Sequence, residues 1–266
     1  MATRTARSLH HEYELYIEQE IENYKESVAR PALLAIGDEA ATRLAAEPQF
    51  VLTEMLLCEE VDRIIFRRLR LPAYNTWRRK RVKLHQELRR PEHWGLSAND
   101  ALVRTIGSTA ETGGSNHVLV AGESAQRSAL FLAANGCDVT ALESKEESVL
   151  RVMEAAIQAG LAERVHAVAT ELAQWTPNTT PLHAVVCSHS ALASLPTRER
   201  TRVIAVLQSA TRDGGVHLVE TIVAGSAAID ELRATYHGWT ISVEPTTGEG
   251  QVFLARKEQA LDLVSH

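Results

Sequence analysis

Two residues in this sequence have the types and spacing to hold a nucleoside. Gly122 ends the apolar run 117–122, and Glu143 ends the next apolar run, 137–143. A glycine at the first position lets the backbone turn sharply and approach a ligand closely. A carboxylate at the end of the second strand can accept hydrogen bonds from both hydroxyls of a ribose. Between the two, residues 125–135 read as a helix, so the segment is a strand, turn, helix, strand unit.

The elements that must position these residues follow the same texture. Residues 145–159 read as a helix closed by Gly160, and short apolar runs recur at 165–169, 183–187 and 216–221 with helical stretches between them. Strands that alternate with helices at this spacing predict a parallel sheet covered by helices on both faces. The last two runs, 239–243 and 251–255, flank a glycine-containing turn and predict a hairpin that adds an antiparallel edge. The expected fold is therefore α/β, a Rossmann-like doubly wound seven-stranded sheet with an antiparallel C-terminal edge hairpin.

The first hundred residues differ. Tyr13, Ile17, Ile21, Tyr24 and Val28 recur at spacings of three and four, which places them on one helical face, and Pro31 is expected to end that helix. Asp38 reads as the N-cap of a short helix stopping near Pro48; helices over 50–70 and 76–90 end at Pro72 and Pro91, and Ser97 caps one more through Ile106. Residues 111–116 (Glu-Thr-Gly-Gly-Ser-Asn) read as a linker. The expected organisation is a helical N-terminal domain over 1–110 and a nucleoside-binding domain over 117–266.

The second half resembles the class I S-adenosylmethionine (SAM)-dependent methyltransferases, in particular the small-molecule branch with the tellurite-resistance and thiopurine-type enzymes. Residues 128–143 match that family's first helix and second strand; 184–196 match its fourth strand and following loop; the Gly-Gly turn at 214–215 and the last strand, 251–257, also match. The turn departs from the family's acid-x-Gly-x-Gly-x-Gly pattern, with Val120, Ser124 and Gln126 in place of the acid and two glycines. The resemblance implies SAM as cofactor, with Gly122 and Ser124 against it, Glu143 and Ser144 at its ribose, Glu171 and Leu172 near the adenine, and Ser188 beside the sulfonium methyl. It makes His189 the candidate catalytic base, since an ordinary imidazole titrates near neutrality. By analogy with N-terminal helices that close over an acceptor, Tyr16 is a second catalytic candidate, beside Tyr13, His10 and His11. The acceptor is then a small molecule or natural-product intermediate, methylated on O, N or S.

Other classes are excluded or left open by composition. There is no Asn/Asp-Pro-Pro-Tyr segment for nucleobase amino methylation and no Pro-Cys pair for pyrimidine C5 chemistry. Cys58, Cys137 and Cys187 are isolated, which argues against a disulfide framework, a zinc site or a radical iron–sulfur centre. No apolar run reaches membrane-spanning length, and the protein is expected to be cytoplasmic. The net charge is −6, yet residues 67–90 hold ten lysines and arginines against one acid. That segment leaves an RNA or polyanion surface open, and the lost glycines leave open an inactive scaffold or partner subunit. The N-terminal helices are expected to support a homo-oligomer.

Overall fold

The computed structural model describes residues 8–45, 54–107, 116–122, 125–178, 180–223, 227–246 and 250–258. The expected N-cap stop at Pro48, most of the linker at 111–116 and Ser124 lie outside the described residues. The chain divides into two compact units, Met1–Leu84 and His85–His266.

In the first unit, α1 (Leu9–Ser27), α2 (Arg30–Ala45), α3 (Glu54–Leu69) and α4 (Tyr74–Leu88, whose last turn belongs to the second unit) pack around Ile21, Ile36, Ala40, Ile64 and Ile65. Ser8 caps α1 by accepting from the His11 amide. Two sequence expectations change here. Pro31 does not simply end a helix: it is the second residue of α2, where a missing amide hydrogen costs nothing because no acceptor exists for it. Asp38 lies inside α2 rather than capping a helix, exposed on its outer face. Buried Glu60 is held by Arg43 and Arg63, and Glu39 bridges Arg43 and Arg68, so α2 and α3 are joined by a charge network as well as by isoleucines.

The second unit begins before the expected boundary. Leu88, Leu96, Ala101, Leu102 and Ile106 belong to the same apolar cluster as the first two strands. Ser97 and Asp100 form a hydrogen-bonded turn (Ser97 N to Asp100 Oδ2, 2.7 Å), and the helical turn beyond it is of π type, Val103–Gly107.

The sheet is the expected doubly wound one. Strands β1 (His117–Ala121), β2 (Asp138–Glu143), β3 (Val165–Ala169), β4 (Leu182–Ser188), β5 (Thr211–Val223), β6 (Trp239–Pro245) and β7 (Gly250–Lys257) lie in the order β3-β2-β1-β4-β5-β7-β6. The first five are mutually parallel; β7 runs antiparallel to both β5 and β6. The antiparallel strand of the hairpin is therefore inserted inside the edge, and β6 is the outermost strand.

Helices cover both faces because both faces are apolar. Every residue of β1 and of β4 is buried, as expected of central parallel strands. One face packs α5 (Ala125–Ala134) and α6 (Glu146–Gln158) through Leu130, Phe131 and Val152. The other packs α8 (Thr197–Ala210) and α9 (Ala228–Thr235) through Val203, Ile204, Leu207 and Leu232. Each such fully buried side chain contributes roughly 1.5–3 kcal/mol. Gly215 lies where a Cβ would be 2.8 Å from the Arg212 carbonyl and 3.0 Å from that of His183, so the β4–β5 approach there needs glycine.

Three histidines are buried on the α8 side of the sheet, and each is neutral. Thr211 Oγ1 donates to the Leu207 carbonyl (2.7 Å), so it must accept from His217 Nε2 (2.8 Å), which leaves His217 Nδ1 to accept from the Tyr236 hydroxyl (2.8 Å). Burial, aided by Lys257, pushes the His217 imidazole down to about 3. Arg212 donates to His183 Nδ1, and burial together with Arg212 and Arg256 lowers that imidazole to about 4. His117, bonded through Nε2 to Thr140 Oγ1 (2.9 Å), is lowered by burial as well.

Candidate functional site

The strand order reverses between β1 and β4: the chain winds outward from β1 through β2 to β3, then returns to β4 on the opposite side. The crevice outside the carboxyl ends at such a point is where open α/β sheets bind ligands. Gly122 follows β1, Glu143 ends β2, Thr170 and Glu171 follow β3, and Ser188 ends β4. The structure thus brings Gly122, Glu143, Ser144, Glu171 and Ser188 to one edge of the sheet, with His189 directly after Ser188.

Glu143 is half-buried, and its carboxylate makes no hydrogen bond or ion pair among the described residues. Burial raises it above the ordinary carboxylate value, and Arg151 opposes that only in part. A desolvated carboxylate without a donor is unfavourable unless something supplies one. Vicinal hydroxyls would supply two. Ser144 beside it is exposed.

Gly122 has φ +104° and faces Ser188. A Cβ there would fall 2.9 Å from Ser188 Cβ, closer still to its hydroxyl, and 3.2 Å from its amide nitrogen. The Ser188 hydroxyl is already engaged: it bonds Ser190 Oγ (2.8 Å) and caps α7 (His189–Ala193) by accepting from the Ala191 amide. Ser188 therefore closes the floor between β1 and β4 rather than offering its hydroxyl to a ligand.

Glu171 is exposed at the start of the turn after β3. Leu172 is buried and lines, with Trp175, Val203 and Val206, a hollow against α8. Val120 is buried in the α5-side core, so an acid could not be accommodated at that position without a partner. A strand-end carboxylate lacking donors among the described residues, an exposed carboxylate after β3 and a tight glycine turn are groups that a nucleoside would fit.

His189 is half-buried in the first turn of α7. Desolvation first, then Arg200, lowers its imidazole below the ordinary value, against Glu231, which raises it; Arg200 and Glu231 are themselves paired at 3.0 Å. It is a neutral ring at neutral pH, the form a base requires. Tyr16 lies in the first unit, stacked on Trp77 (6.1 Å between centroids, 29° between planes), and burial, Glu20 and Tyr13 all raise its phenol. That phenol stays protonated at neutral pH.

Two residues that the sequence pattern did not single out also stand on this edge. Glu220 pairs in register with Ser188, and Thr221 follows with φ +60°, where β5 and β7 slip register between Val219 and Ile222. A β-branched residue in the left-handed region is strained. Nothing in the residue pattern announces such a backbone; only the unusually long β5 does.

No protein-family model matches the chain, and no curated protein matches it in sequence. Several solved structures are similar over part of it. The glycopeptide N-methyltransferase MtfA complexed with SAM is 14% identical, over 57% of this chain and 90% of that one, with a TM-score of 0.47. The N-methyltransferase NodS from Bradyrhizobium japonicum is 11% identical, over 61% of this chain and 100% of that one, at 0.45. TehB from Haemophilus influenzae is 17% identical, over 63% of this chain and 65% of that one, at 0.47.

Proposed function

We propose that this protein is a SAM-dependent methyltransferase acting on an O, N or S atom of a small molecule. The observation that carries the proposal is Glu143, a half-buried strand-end carboxylate with a raised affinity for protons and no donor among the described residues. It stands one strand from the Gly122 turn, at the reversal of strand order. SAM bound there would supply an electrophilic methyl group on a good leaving group. The chain's own part would be to hold the ribose at Glu143 and Ser144, to present Glu171 to the adenine side, and to exclude water. Neutral His189 would take a proton from an acceptor that is protonated at working pH.

The engaged Ser188 hydroxyl and buried Val120 favour a second reading, in which the crevice binds the nucleoside but no longer turns over. Transfer of a labelled methyl group from SAM to a panel of phenols, amines and thiols separates the two. Label in any acceptor, reduced at least tenfold in Glu143→Gln, supports the enzyme. SAM bound with no label transferred to any of the three classes supports the second reading.

A further inference from the structure

A single cross-strand row at the carboxyl edge of the sheet holds a second carboxylate besides Glu143. In the parallel register Ala121 pairs with Leu142 of β2 and with Cys187 of β4, and Cys187 pairs with Val219 of β5. These four residues all belong to the apolar cluster on the α8 side. One residue further on stand Glu143, Gly122, Ser188 and Glu220, with Ser188 and Glu220 paired in register. Side chains alternate along a strand, so this next row faces the α5 side, as Ala141, Val120, Val186 and Leu218 do two residues earlier. Strands lie about 4.8 Å apart, so three spacings put the ends of the row on the order of 14 Å apart. The row thus reads carboxylate, glycine, engaged serine, carboxylate.

The backbone beside Glu220 is irregular. Val219 pairs with Phe253 and Ile222 with Gln251, so Glu220 and Thr221 together oppose the single residue Val252 of β7. Thr221 carries the bulge at φ +60°, and Ile222 is thereby turned into the α8-side core, fully buried. Bulges of this kind stand next to active sites and re-aim a side chain there, and a β-branched residue in the left-handed region persists only where its surroundings hold it. Glu220 is half-buried and already makes an interaction of its own. A carboxylate offers about four acceptor positions, so one engagement does not fill it.

We propose that Glu220 is the carboxylate of this crevice that binds an ammonium group, at the far end of the row from the ribose carboxylate Glu143. The proposal rests on the methyltransferase reading. The base and the sulfonium arm leave a ribose from opposite sides of its ring. With the base toward Glu171 beyond β3, the arm would run the other way, across Gly122 and Ser188 toward β5. An ammonium reaches that end from one of two sources: the α-amino group of the cofactor's own amino-acid end, or an amine-bearing acceptor laid beside it. Glu220 would hold either through charge-assisted hydrogen bonds and would repel an anionic acceptor.

Calorimetric titration of the full chain, wild type and Glu220→Gln, tests it and separates the sources. S-adenosylhomocysteine carries the ammonium, its deamino analogue keeps the carboxylate without the ammonium, and 5′-methylthioadenosine lacks both. If the cofactor is the source, the wild type should prefer S-adenosylhomocysteine to the deamino analogue by about tenfold or more. Glu220→Gln should remove that preference and leave 5′-methylthioadenosine binding nearly unchanged. If the acceptor is the source, Glu220→Gln should leave S-adenosylhomocysteine binding unchanged. Benzylamine, phenethylamine and tryptamine should then bind the wild-type S-adenosylhomocysteine complex more tightly than the corresponding alcohols, and the variant should lose that preference. Absence of an ammonium preference in both ligand sets overturns the proposal on the wild type alone, whether or not the variant folds. A preference that survives Glu220→Gln overturns it as well, and so does a folded variant that loses all three nucleosides alike. Failure of the wild type to bind any of the three nucleosides removes the methyltransferase reading itself, and the proposal with it.

Discussion

Gly122 at the end of β1 faces Ser188 at the end of β4 so closely that a Cβ on residue 122 would lie 2.9 Å from Ser188 Cβ. The glycine is required twice, once for φ +104° and once for this contact. Gly122→Ala should cost about 2–4 kcal/mol, from backbone strain and overpacking together. Ser188→Ala should recover part of that loss, since the hydroxyl is the nearest atom. Chemical denaturation of both single variants and the double variant measures the coupling; strictly additive effects would mean that the contact does not decide the cost.

Glu143 behaves in the opposite way to a structural carboxylate. Its proton affinity is raised in the folded chain, so the ionised group opposes folding above that range, and the penalty disappears as pH falls below the ordinary value near 4.5. Glu143→Gln should therefore leave stability unchanged or raise it slightly at pH 7, by less than about 1 kcal/mol after solvent screening. The gain should vanish near pH 4. Melting temperatures of the two proteins across that range check the sign, and a destabilised Glu143→Gln at pH 7 would mean the carboxylate serves the fold.

Much of this was legible in the sequence because β1 and β4 are nearly continuous apolar runs bounded by turn residues, the signature of strands buried on both faces. Gly160 closes α6 as read, with the Gly160 amide bonded to the Ile157 carbonyl and the Leu161 amide to that of Ala156. What was not legible depends on tertiary context. Thr211 starts β5 five residues before its apolar run, because Thr211 pairs with Leu182 of β4 while residues 212–215 form an irregularity before pairing resumes at Val216, with Arg212 bonded to His183. Asp38 is a good cap type, yet the helix already begins at Arg30 and runs past it. At the site, Gly122 and Glu143 could be read from type and spacing, whereas the burial of Ser188 depends on which strand lies next to β1.

The buried histidines predict acid lability. His183 and His217 titrate near 4 and 3 in the folded chain and near 6.5 when unfolded. Between those limits the unfolded chain binds the protons, so stability falls as pH drops through 6.5 and levels off below the folded values. Each histidine contributes a slope of about 1.4 kcal/mol per pH unit within its window. Urea midpoints at pH 7.5 and 5.0 should differ accordingly. His183→Asn, which keeps an acceptor for Arg212, should reduce the difference, whereas an equal difference in that variant would remove His183 from the account.

His189 predicts the shape of a rate profile. With its imidazole lowered by desolvation and Arg200, methyl transfer to a protonated acceptor should hold its plateau to below pH 6.5 before declining. His189→Gln should lower kcat by about a hundredfold to ten-thousandfold and leave SAM affinity nearly unchanged. Loss of SAM binding in that variant would instead assign His189 to the cofactor side.

Calorimetric titration with SAM and with S-adenosylhomocysteine, on the wild type and on Glu143→Gln, addresses the central claim most directly. The expected result is one site per chain with micromolar affinity for both ligands, weakened at least tenfold by the substitution while the melting temperature without ligand is kept. Absence of heat and of thermal stabilisation with either ligand, or equal affinity in the two proteins, would contradict the assignment of this crevice to the cofactor.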